Sequence, residues 1–268
     1  MHYPPPTRRD VLAGTATGLA SLALTSALTS TMTSPADAAK PPFATGAEVW
    51  RRQGFAPYKG KRIGLITNQT GLVGGRHLAD ILAADATVKL AALFGPEHGV
   101  RGDAEAGAKV KDGRDPKTGV PVFSLYGATR KPTREMLRGL DVLVFDIQDV
   151  GVRSYTYIST MGLAMQAAAE ANLPFLVLDR PNPIGGDYVS GFVLEPAFKS
   201  FVGQYPIPIV HGMTVAELAI MIRAERWLDG LDRLDLAVSK YEHVPRAMRW
   251  PATGATWVPT SPNVPTFD

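Results

Sequence analysis

The segment that decides the fold is Val88-Lys89-Leu90-Ala91-Ala92-Leu93-Phe94, followed directly by Gly95-Pro96-Glu97-His98-Gly99-Val100-Arg101-Gly102-Asp103. Its first part is an apolar run that predicts a buried strand over about residues 87–94. The Gly-Pro pair ends this strand, and the loop that follows presents the Glu97 carboxylate beside the His98 imidazole. A strand that ends in a tight polar turn is a common origin of a functional site in α/β proteins, but a solvated loop with no special role has the same composition.

Further apolar runs occur on both sides of this segment and alternate with helical patterns. Thr214 with Glu217 three residues later is a capping-box pattern that marks the start of one helix. The alternation predicts an α/β fold with a mostly parallel sheet. Pro121 marks one strand as an edge strand, and the segment from Pro245 onward is predicted to form no element. The predicted strands are 62–67, 87–94, 120–126, 141–146, 173–178, 207–210 and 234–238, and the predicted helices are 46–51, 76–84, 134–137, 156–172 and 214–227.

Composition excludes several classes of function. The chain has 268 residues and a net charge of only +3, so no strong field attracts nucleic acid and no such partner is expected. It has no cysteine, which excludes disulfides, thiolate metal sites and cysteine nucleophiles. The G-x-G-x-x-G fingerprint, the P-loop pattern and the G-x-S-x-G pattern do not occur, so we expect no nucleotide cofactor, no other cofactor and no serine nucleophile.

The N-terminal residues predict export. Arg8 and Arg9 form a twin-arginine pattern, an apolar run of small residues follows, and Ala36-Asp37-Ala38 is an A-x-A cleavage signal. Residues 1–38 are therefore predicted to be a signal peptide, and the mature chain would be periplasmic or secreted. No later segment approaches 18 uninterrupted apolar residues, so no stable membrane span is expected after cleavage.

Charged and polar side chains concentrate where the predicted strands end, whereas the strands themselves carry almost no charge. The carboxyl ends of parallel strands meet at one edge of a sheet, where α/β proteins bind ligands. We therefore predict a polar cleft at this edge. The residues at these ends are Asn68, Glu97, His98, Asp146, Gln148, Asp149, Asp179, Arg180, Asn182 and His211.

Two carboxylates that flank a cleft are suited to the hydrolysis of a glycosidic bond, in which one protonates the leaving oxygen and the other attacks or activates water. Glu97 is the candidate general acid/base, and Asp146 or Asp149 is its candidate partner. Both aspartates also have structural alternatives: Asp149 as a cap of a helix or turn, and Asp146 as a buried partner of Arg153 or Arg180.

Four further residues are candidates for contact with substrate. Arg101 and Arg153 are able to hold a substrate carboxylate through paired hydrogen bonds, or to pair with neighbouring aspartates. Tyr155 and Tyr157 are able to stack on a sugar ring, or to pack as core aromatics at the start of a helix.

A metal site is a further alternative. His98, Asp103, Asp146 and His211 are residue types that bind divalent metals, and such a site would serve a deacetylase or amidase. No H-x-x-x-H or H-x-x-E-H spacing supports it, so we predict no metal site.

Four long motifs carry a resemblance to a known family. The motifs are Leu65-Ile66-Thr67-Asn68-Gln69-Thr70-Gly71, Phe94-Gly95-Pro96-Glu97-His98-Gly99-Val100-Arg101-Gly102, Asp146-Ile147-Gln148-Asp149-Val150-Gly151-Val152-Arg153 with Tyr155-Thr156-Tyr157, and Leu178-Asp179-Arg180-Pro181-Asn182-Pro183. With these motifs the chain resembles the exo-β-N-acetylmuramidases of the NamZ type, and the resemblance covers about residues 45–268.

The resemblance implies a doubly wound Rossmann-like domain, followed by a smaller domain, with the active cleft between them. It implies release of terminal N-acetylmuramic acid from peptidoglycan fragments, with Glu97 as the catalytic glutamate of the P-E-H-G motif. The lactyl carboxylate of the sugar would then be the group that Arg101 or Arg153 binds.

The domains expected from this reading are the signal peptide (1–38), a Rossmann-like catalytic domain (39–244) and a proline-rich segment (245–268) that leads toward a C-terminal domain missing from the chain. Ser190 also departs from the family pattern, since many relatives carry an acidic residue there. The missing part keeps a second function open, that of a non-catalytic domain that binds muropeptides or sugars.

Overall fold

The computed structural model describes residues 43–105, 107–108, 111–261 and 264–266. The predicted signal peptide and its cleavage site after Ala38 lie outside the described residues. All described residues fall in one compact unit, residues 40–268. Their strands are β1 (Arg62–Thr67), β2 (Leu72–Val73), β3 (Arg76–His77), β4 (Lys89–Gly95), β5 (Gly113–Arg114), β6 (Pro121–Ser124), β7 (Val142–Asp146), β8 (Phe175–Leu178) and β9 (Leu236–Ser239).

Seven of these strands form a sheet in the order β5-β6-β4-β1-β7-β8-β9, and β2 and β3 form a separate hairpin. Only the β5–β6 pair of the large sheet is antiparallel, so the prediction of a mostly parallel sheet is confirmed. From β1 the chain first builds outward through β4 to β6, and it then returns to build outward through β7, β8 and β9. The order of the strands therefore reverses between β1 and β7, and this reversal creates a crevice at the carboxyl ends of the two strands.

Helices cover both faces of the sheet, as a doubly wound fold requires. The side chains of β1 alternate between two cores: Ile63 and Leu65 pack with α1 and α2, and Ile66 packs with α3 and α4. The central strands β1, β4, β7 and β8 are covered on both faces. Their sequences are therefore nearly continuous apolar runs, which is why sequence predicted these strands well. The helices are α1 (Gly46–Arg52), α2 (Leu78–Ala84), α3 (Tyr157–Glu170) and α4 (Val215–Ala224).

Capping explains where two of these helices begin. The Thr214 hydroxyl accepts a hydrogen bond from the Glu217 backbone N–H, and the Glu217 carboxylate accepts one from the Thr214 N–H. Thr45 and Glu48 form the same capping box at the start of α1. The prediction for Thr214 and Glu217 is confirmed, and each box satisfies backbone donors that the first helical turn leaves free.

Two predicted elements are wrong. Residues 207–210 do not join the large sheet: Val210 forms isolated antiparallel bridges with Val152 and Ser190, because the segment packs against a connection instead of a neighbouring strand. Residues 134–137 form turns in place of a helix, although the Thr133 hydroxyl accepts the predicted capping hydrogen bond from the Met136 N–H.

Two further expectations are corrected at the margins of the fold. Pro121 does not mark an outer edge, because β5 pairs with β6 beyond it, and Pro121 opens β6 opposite Arg114. The segment from Pro245 onward does contain an element, a short 3₁₀ helix at Trp250–Thr253. Its buried Trp250 anchors this segment on the domain.

None of the helices that the structure describes has the length and apolar content needed to cross a membrane.

Gly46 is predicted to control the docking of α1. A Cβ atom there would lie 2.1 Å from the Ser239 carbonyl oxygen and 2.4 Å from the Asp179 backbone nitrogen, and neither atom can move freely. Gly46→Ala should lower the free energy of unfolding by about 1–3 kcal/mol, measured by urea denaturation. Gly113→Ala is the matched control, since nothing lies within 4 Å of its Cβ position, and equal effects of the two changes would contradict the prediction.

Candidate active site

Parallel pairing brings the predicted polar residues to one end of the sheet, which we call the carboxyl edge. Asn68 follows β1, Glu97 follows β4, Asp146 ends β7 and Asp179 follows β8. His211 reaches this region differently: it comes from the connection before α4, because residues 207–210 are not a strand of the sheet. Its backbone N–H donates to the Gly151 carbonyl at 3.3 Å, which places His211 beside the loop after β7.

Two hydrogen-bond donors hold the Glu97 carboxylate, and neither belongs to the turn that contains Glu97. One carboxylate oxygen accepts from the Thr156 hydroxyl at 3.1 Å, and the other accepts from the Gly107 backbone N–H at 3.0 Å. The side chain is only partly buried. Burial and then the negative charge of Glu97 raise the pKa of the nearby Tyr126 hydroxyl. The arrangement orients a carboxylate that solvent and a substrate are still able to reach.

His98 follows Glu97 in the chain and stabilises the loop that contains both residues. Its backbone is in the left-handed region with φ of 68°, and its ring is buried. The Nδ1 atom lies 3.0 Å from the Ala104 carbonyl oxygen, so we assign the ring proton to Nδ1. This bond closes the loop after Glu97 and fixes the direction in which the glutamate leaves the strand.

Asp146 and Arg180 form a fully buried ion pair. The Nε and Nη2 atoms of Arg180 lie 2.8 and 2.7 Å from one carboxylate oxygen, Oδ1 of Asp146. The exposed fractions of Asp146 and Arg180 are 0% and 5%. The structural alternative for Asp146 is therefore the arrangement found, and the pair ties the ends of β7 and β8 together. Loss of one partner from such a pair leaves a buried charge uncompensated and is strongly destabilising.

Asp149 and His211 form a second buried pair. Oδ2 of Asp149 accepts from the Gly151 backbone N–H at 2.8 Å and lies 3.3 Å from Nε2 of His211. Nδ1 of His211 accepts from the Met213 N–H at 3.2 Å, so we assign the ring proton to Nε2, facing the carboxylate. Asp149 thus caps a turn, as its structural alternative requires, and its carboxylate also lies beside an imidazole.

Arg101 and Arg153 both brace loops. Arg101 makes two bonds of 2.8 Å to Asp115 and one of 2.6 Å to Asp80, and it holds the pKa of the Asp115 carboxyl well below its usual range. Nη1 of Arg153 donates to the carbonyl oxygens of Phe192 and Ile207 at 2.7 and 2.5 Å. The alternative in which Arg101 pairs with aspartates is therefore the one observed, whereas Arg153 binds backbone carbonyls.

Tyr155 and Tyr157 hold a segment that we call the strap, residues 257–261. The two rings meet edge to face at 5.0 Å. Tyr155 shares a hydrogen bond of 2.7 Å with the Thr260 hydroxyl, and Tyr157 donates to the Thr260 carbonyl oxygen at 2.8 Å. Gln69, in the loop after β1, donates to the same carbonyl at 3.1 Å. Tyr157 is buried in the core and Tyr155 packs against the same core, so the packing alternative is the arrangement found, with both hydroxyls bonded to the strap.

The remaining predicted residues organise the loops of the carboxyl edge. Oδ1 of Asn68 accepts from the N–H and the hydroxyl of Thr70 at 3.0 and 2.6 Å. Asn182 donates to the Met213 carbonyl and accepts from the Ile184 N–H, both at 3.0 Å. These are local bonds that set loop shape, so the amides pre-organise the edge.

Asp179 lies at the start of α4. Its Oδ1 accepts from the Ala216 backbone N–H at 3.1 Å, a position that the helix dipole makes favourable for negative charge. Burial has the larger effect and raises the pKa of the Asp179 carboxyl to about 6. The group is therefore a titratable part of the carboxyl edge close to neutral pH.

A cavity of about 500 Å³ opens beside the reversal between β1 and β7. Thr70 and Gln148 line it from the loops after these two strands, and Arg180 lines it from the loop after β8. Glu97 is not among its lining residues. Sequence reasoning missed most of the other walls, which are Phe43, Thr45, Glu48, Leu72, Gly74, Gly75, Trp250, Thr253, Gly254, Ala255, Thr256 and Val258.

The metal alternative finds no support in the arrangement of side chains. Across the described ranges, no three His, Asp or Glu residues are grouped so that they could hold one ion. Three of the four residues of this alternative contact other groups: Asp146 pairs with Arg180, His211 lies beside Asp149, and His98 bonds a backbone carbonyl.

Comparison with known proteins identifies the family. Residues 63–268 match the family profile described as exo-β-N-acetylmuramidase NamZ, N-terminal. The chain belongs to this NamZ family. It is 53% identical over 232 residues to the peptidoglycan β-N-acetylmuramidase NamZ of Bacillus subtilis strain 168, an alignment that covers 86% of this chain and 55% of the relative.

Crystal structures of two DUF1343-family proteins of Bacteroides fragilis have the same fold as this NamZ-family chain. One is 51% identical with a TM-score of 0.78, and the other is 42% identical with a TM-score of 0.70. Each match covers 84% of this chain but only 56% and 58% of the solved chains. The chain thus spans a little over half the length of the relatives it matches.

We predict a pH-dependent stability that originates at Asp179. Its carboxyl binds a proton more tightly in the folded state, with a pKa of about 6 against 3.8, so its contribution to the free energy of unfolding falls as pH rises between these values. The fall is about 3 kcal/mol. Asp179→Asn cannot titrate and keeps an oxygen for the Ala216 N–H, so it should gain about that much relative to the unmodified chain between pH 4 and 7.

Urea denaturation at several pH values measures this difference. Asp187→Asn, which removes a carboxylate that is about half exposed, controls for the loss of one negative charge. A difference between Asp179→Asn and the unmodified chain that stays constant with pH would contradict the prediction.

Proposed function

We propose that this chain hydrolyses the glycosidic bond of terminal N-acetylmuramic acid in peptidoglycan fragments. The observation that carries the proposal is the 53% identity to the B. subtilis peptidoglycan β-N-acetylmuramidase. The matching family profile covers residues 63–268, a range that contains every predicted polar loop of the carboxyl edge. The partners are then muropeptides or other sugars that contain N-acetylmuramic acid.

In this proposal Glu97 is the general acid/base. Protonated Glu97 gives its proton to the glycosidic oxygen as the bond from that oxygen to the anomeric carbon breaks. The resulting carboxylate then accepts a proton from the water that completes hydrolysis. The Thr156 hydroxyl and the Gly107 N–H suit this role, because both donate to Glu97 and hold the carboxylate in one orientation while it gains and loses the proton.

Asp146 and Asp149 are proposed to act indirectly, through the buried residues with which they pair. Asp146 is fully buried against Arg180, so its effect on a substrate is exerted through that arginine and the shape of the β7–β8 loops. Asp149 faces His211, and this pair would set the proton position of the imidazole. Partly exposed Glu97 is therefore the carboxylate that we propose to contact the reacting bond directly.

Replacement of the proposed acid/base should abolish most turnover. Glu97→Gln keeps the size of the side chain but cannot transfer the proton, so we expect kcat to fall by about 10²-fold or more. Release of 4-nitrophenol from 4-nitrophenyl β-N-acetylmuramide measures the rate.

Glu105→Gln is the matched control, because Glu105 is an exposed glutamate in the loop that follows Glu97. This variant should keep the turnover of the unmodified chain within about twofold. Equal turnover by Glu97→Gln and Glu105→Gln would remove Glu97 from the mechanism. Binding of N-acetylmuramic acid without turnover by any form of the chain would favour the non-catalytic sugar-binding function.

We also propose that the chain is exported by the twin-arginine route to the periplasm or the medium, where peptidoglycan lies. Support comes from Arg8-Arg9, the apolar run and the A-x-A signal before Ala39. N-terminal sequencing of the exported protein should begin at Ala39, and the double change Arg8→Lys with Arg9→Lys should retain the protein inside the cell. Export that persists in this variant would contradict the route.

A further inference from the structure

Two residues that line the cavity at the β1–β7 reversal carry buried polar atoms with no hydrogen-bond partner in the described chain. They are Oε1 of Gln148, an acceptor, and Nε1 of Trp250, a donor. The residues are only 4% and 6% exposed. Unpaired buried polar groups are costly, so two of them among the lining residues of one cavity point to a polar ligand that pairs with both.

The amide of Gln148 has one orientation. Its Nε2 lies 2.8 Å from the Asp149 carbonyl oxygen and 3.0 Å from the Pro181 carbonyl oxygen. Carbonyl oxygens only accept, so the nitrogen must be the atom that faces them, and the unpaired atom is therefore the oxygen. The backbone N–H of Gln148 also donates to the Thr70 hydroxyl at 2.9 Å. Gln148 thus offers a fixed acceptor that requires an N–H or O–H from a ligand.

Trp250 offers a fixed donor. Its ring meets Phe43 edge to face at 6.5 Å and Trp257 at 5.2 Å. Its backbone N–H donates to the Pro183 carbonyl oxygen at 3.0 Å. An indole that is packed in this way cannot turn to find another acceptor, so its N–H requires a C=O or hydroxyl oxygen from a ligand.

The charges around the cavity disfavour an anion. Arg180 is neutralised by Asp146, and the remaining charged lining residue is Glu48, whose carboxylate accepts from the Thr45 and Gly74 backbone N–H groups. These three charged groups sum to one negative charge. A neutral ligand should therefore bind more tightly than the same ligand with an added carboxylate.

We propose that this cavity binds a neutral N-acetylated hexosamine, whose acetamido N–H pairs with Gln148 and whose acetamido C=O pairs with Trp250. The volume of about 500 Å³ is in the range of cavities that bind small ligands. Because the assignment to the substrate rests on the proposed function, the ligand is the uncharged acetamido sugar on the leaving side of the cleaved bond. The anionic N-acetylmuramic acid then lies outside this cavity, toward Glu97.

The test is a titration followed through the indole N–H signals of the four tryptophans by NMR, with methyl N-acetyl-β-glucosaminide as the probe. Trp250→Phe identifies the Trp250 signal, because that signal is lost while an aromatic ring remains. The probe should shift the Trp250 signal, and Trp250→Phe should weaken binding about tenfold. Trp227→Phe is the matched control, since Trp227 stacks on Tyr205 away from the cavity and should leave the affinity unchanged.

Two further probes test recognition of the acetamido group with the unmodified chain, so the result does not depend on whether a variant folds. Methyl β-glucoside replaces the acetamido group with a hydroxyl, and methyl N-acetyl-β-muramide adds a carboxylate; each should bind about tenfold more weakly. A Trp250 signal that no probe shifts, or equal binding of the glucoside, would overturn the amide recognition. Tighter binding of the muramide would overturn the assignment of a neutral sugar.

The titration is independent of catalysis, so the two proposals fail separately. Glu97→Gln should bind methyl N-acetyl-β-glucosaminide as tightly as the unmodified chain, because Glu97 does not line the cavity. Absence of muramidase turnover together with normal binding would refute the proposed function and leave the cavity as a hexosamine site. Turnover that depends on Glu97 with no binding would refute the cavity assignment alone.

Discussion

The strand β1 hydrogen-bonds in parallel register to β4 on one side and to β7 on the other, and the arrangement of every polar loop depends on this double pairing. All three strands are buried on both faces, so a shift of β1 would disrupt both cores at once. The chain builds outward from β1 twice, in opposite directions, and the loops after β1 and β7 must therefore diverge. Loop residues fill part of the resulting crevice, and the cavity lined by Thr70 and Gln148 lies in the rest.

Buried charges lock the loops around this crevice. Asp146 with Arg180 joins the ends of β7 and β8, and Arg101 with two aspartates joins α2 to the segment near β5. Each pair would be costly if a partner were missing, so these charges specify loop geometry more than they add stability. Glu97 differs from them, since its partners are neutral donors and its carboxylate is partly exposed. Among the carboxylates of the carboxyl edge it is therefore the one that we propose as the acid/base.

The strands and the position of the polar edge could be predicted from sequence because both follow from local patterns. Covered parallel strands are short apolar runs, and the residues that end them share one edge whatever the loops do. The run at 207–210 was misleading for the same reason: it is apolar, but its partners are Val152 and Ser190 in loops, which local composition does not reveal. The resemblance to the NamZ family supplied what no local pattern contains, namely the sugar that we propose as substrate.

The partners of individual side chains could not be predicted, because they are distant in sequence. Arg101 forms ion pairs with Asp80 and Asp115, so an arginine that follows the P-E-H-G motif braces a loop. The walls of the cavity were missed because Phe43 and Trp250 come from opposite ends of the domain. The one available signal was compositional: the segment from Pro245 onward carries two tryptophans, and solvent-exposed segments rarely retain such large apolar rings.

The strap has a consequence for the order of folding. Gln69 contacts the strap across 190 and 191 residues of sequence, and the Tyr155 and Tyr157 contacts span more than 100. Contacts of such long range carry the largest loop-closure entropy and gain little until the intervening chain is already ordered. The sheet is thus able to assemble first from nearer neighbours, and the strap and the cavity wall at Trp250 close last. An open, unfinished cavity would therefore mark a late folding intermediate, in which the core is complete while the binding surface has yet to form.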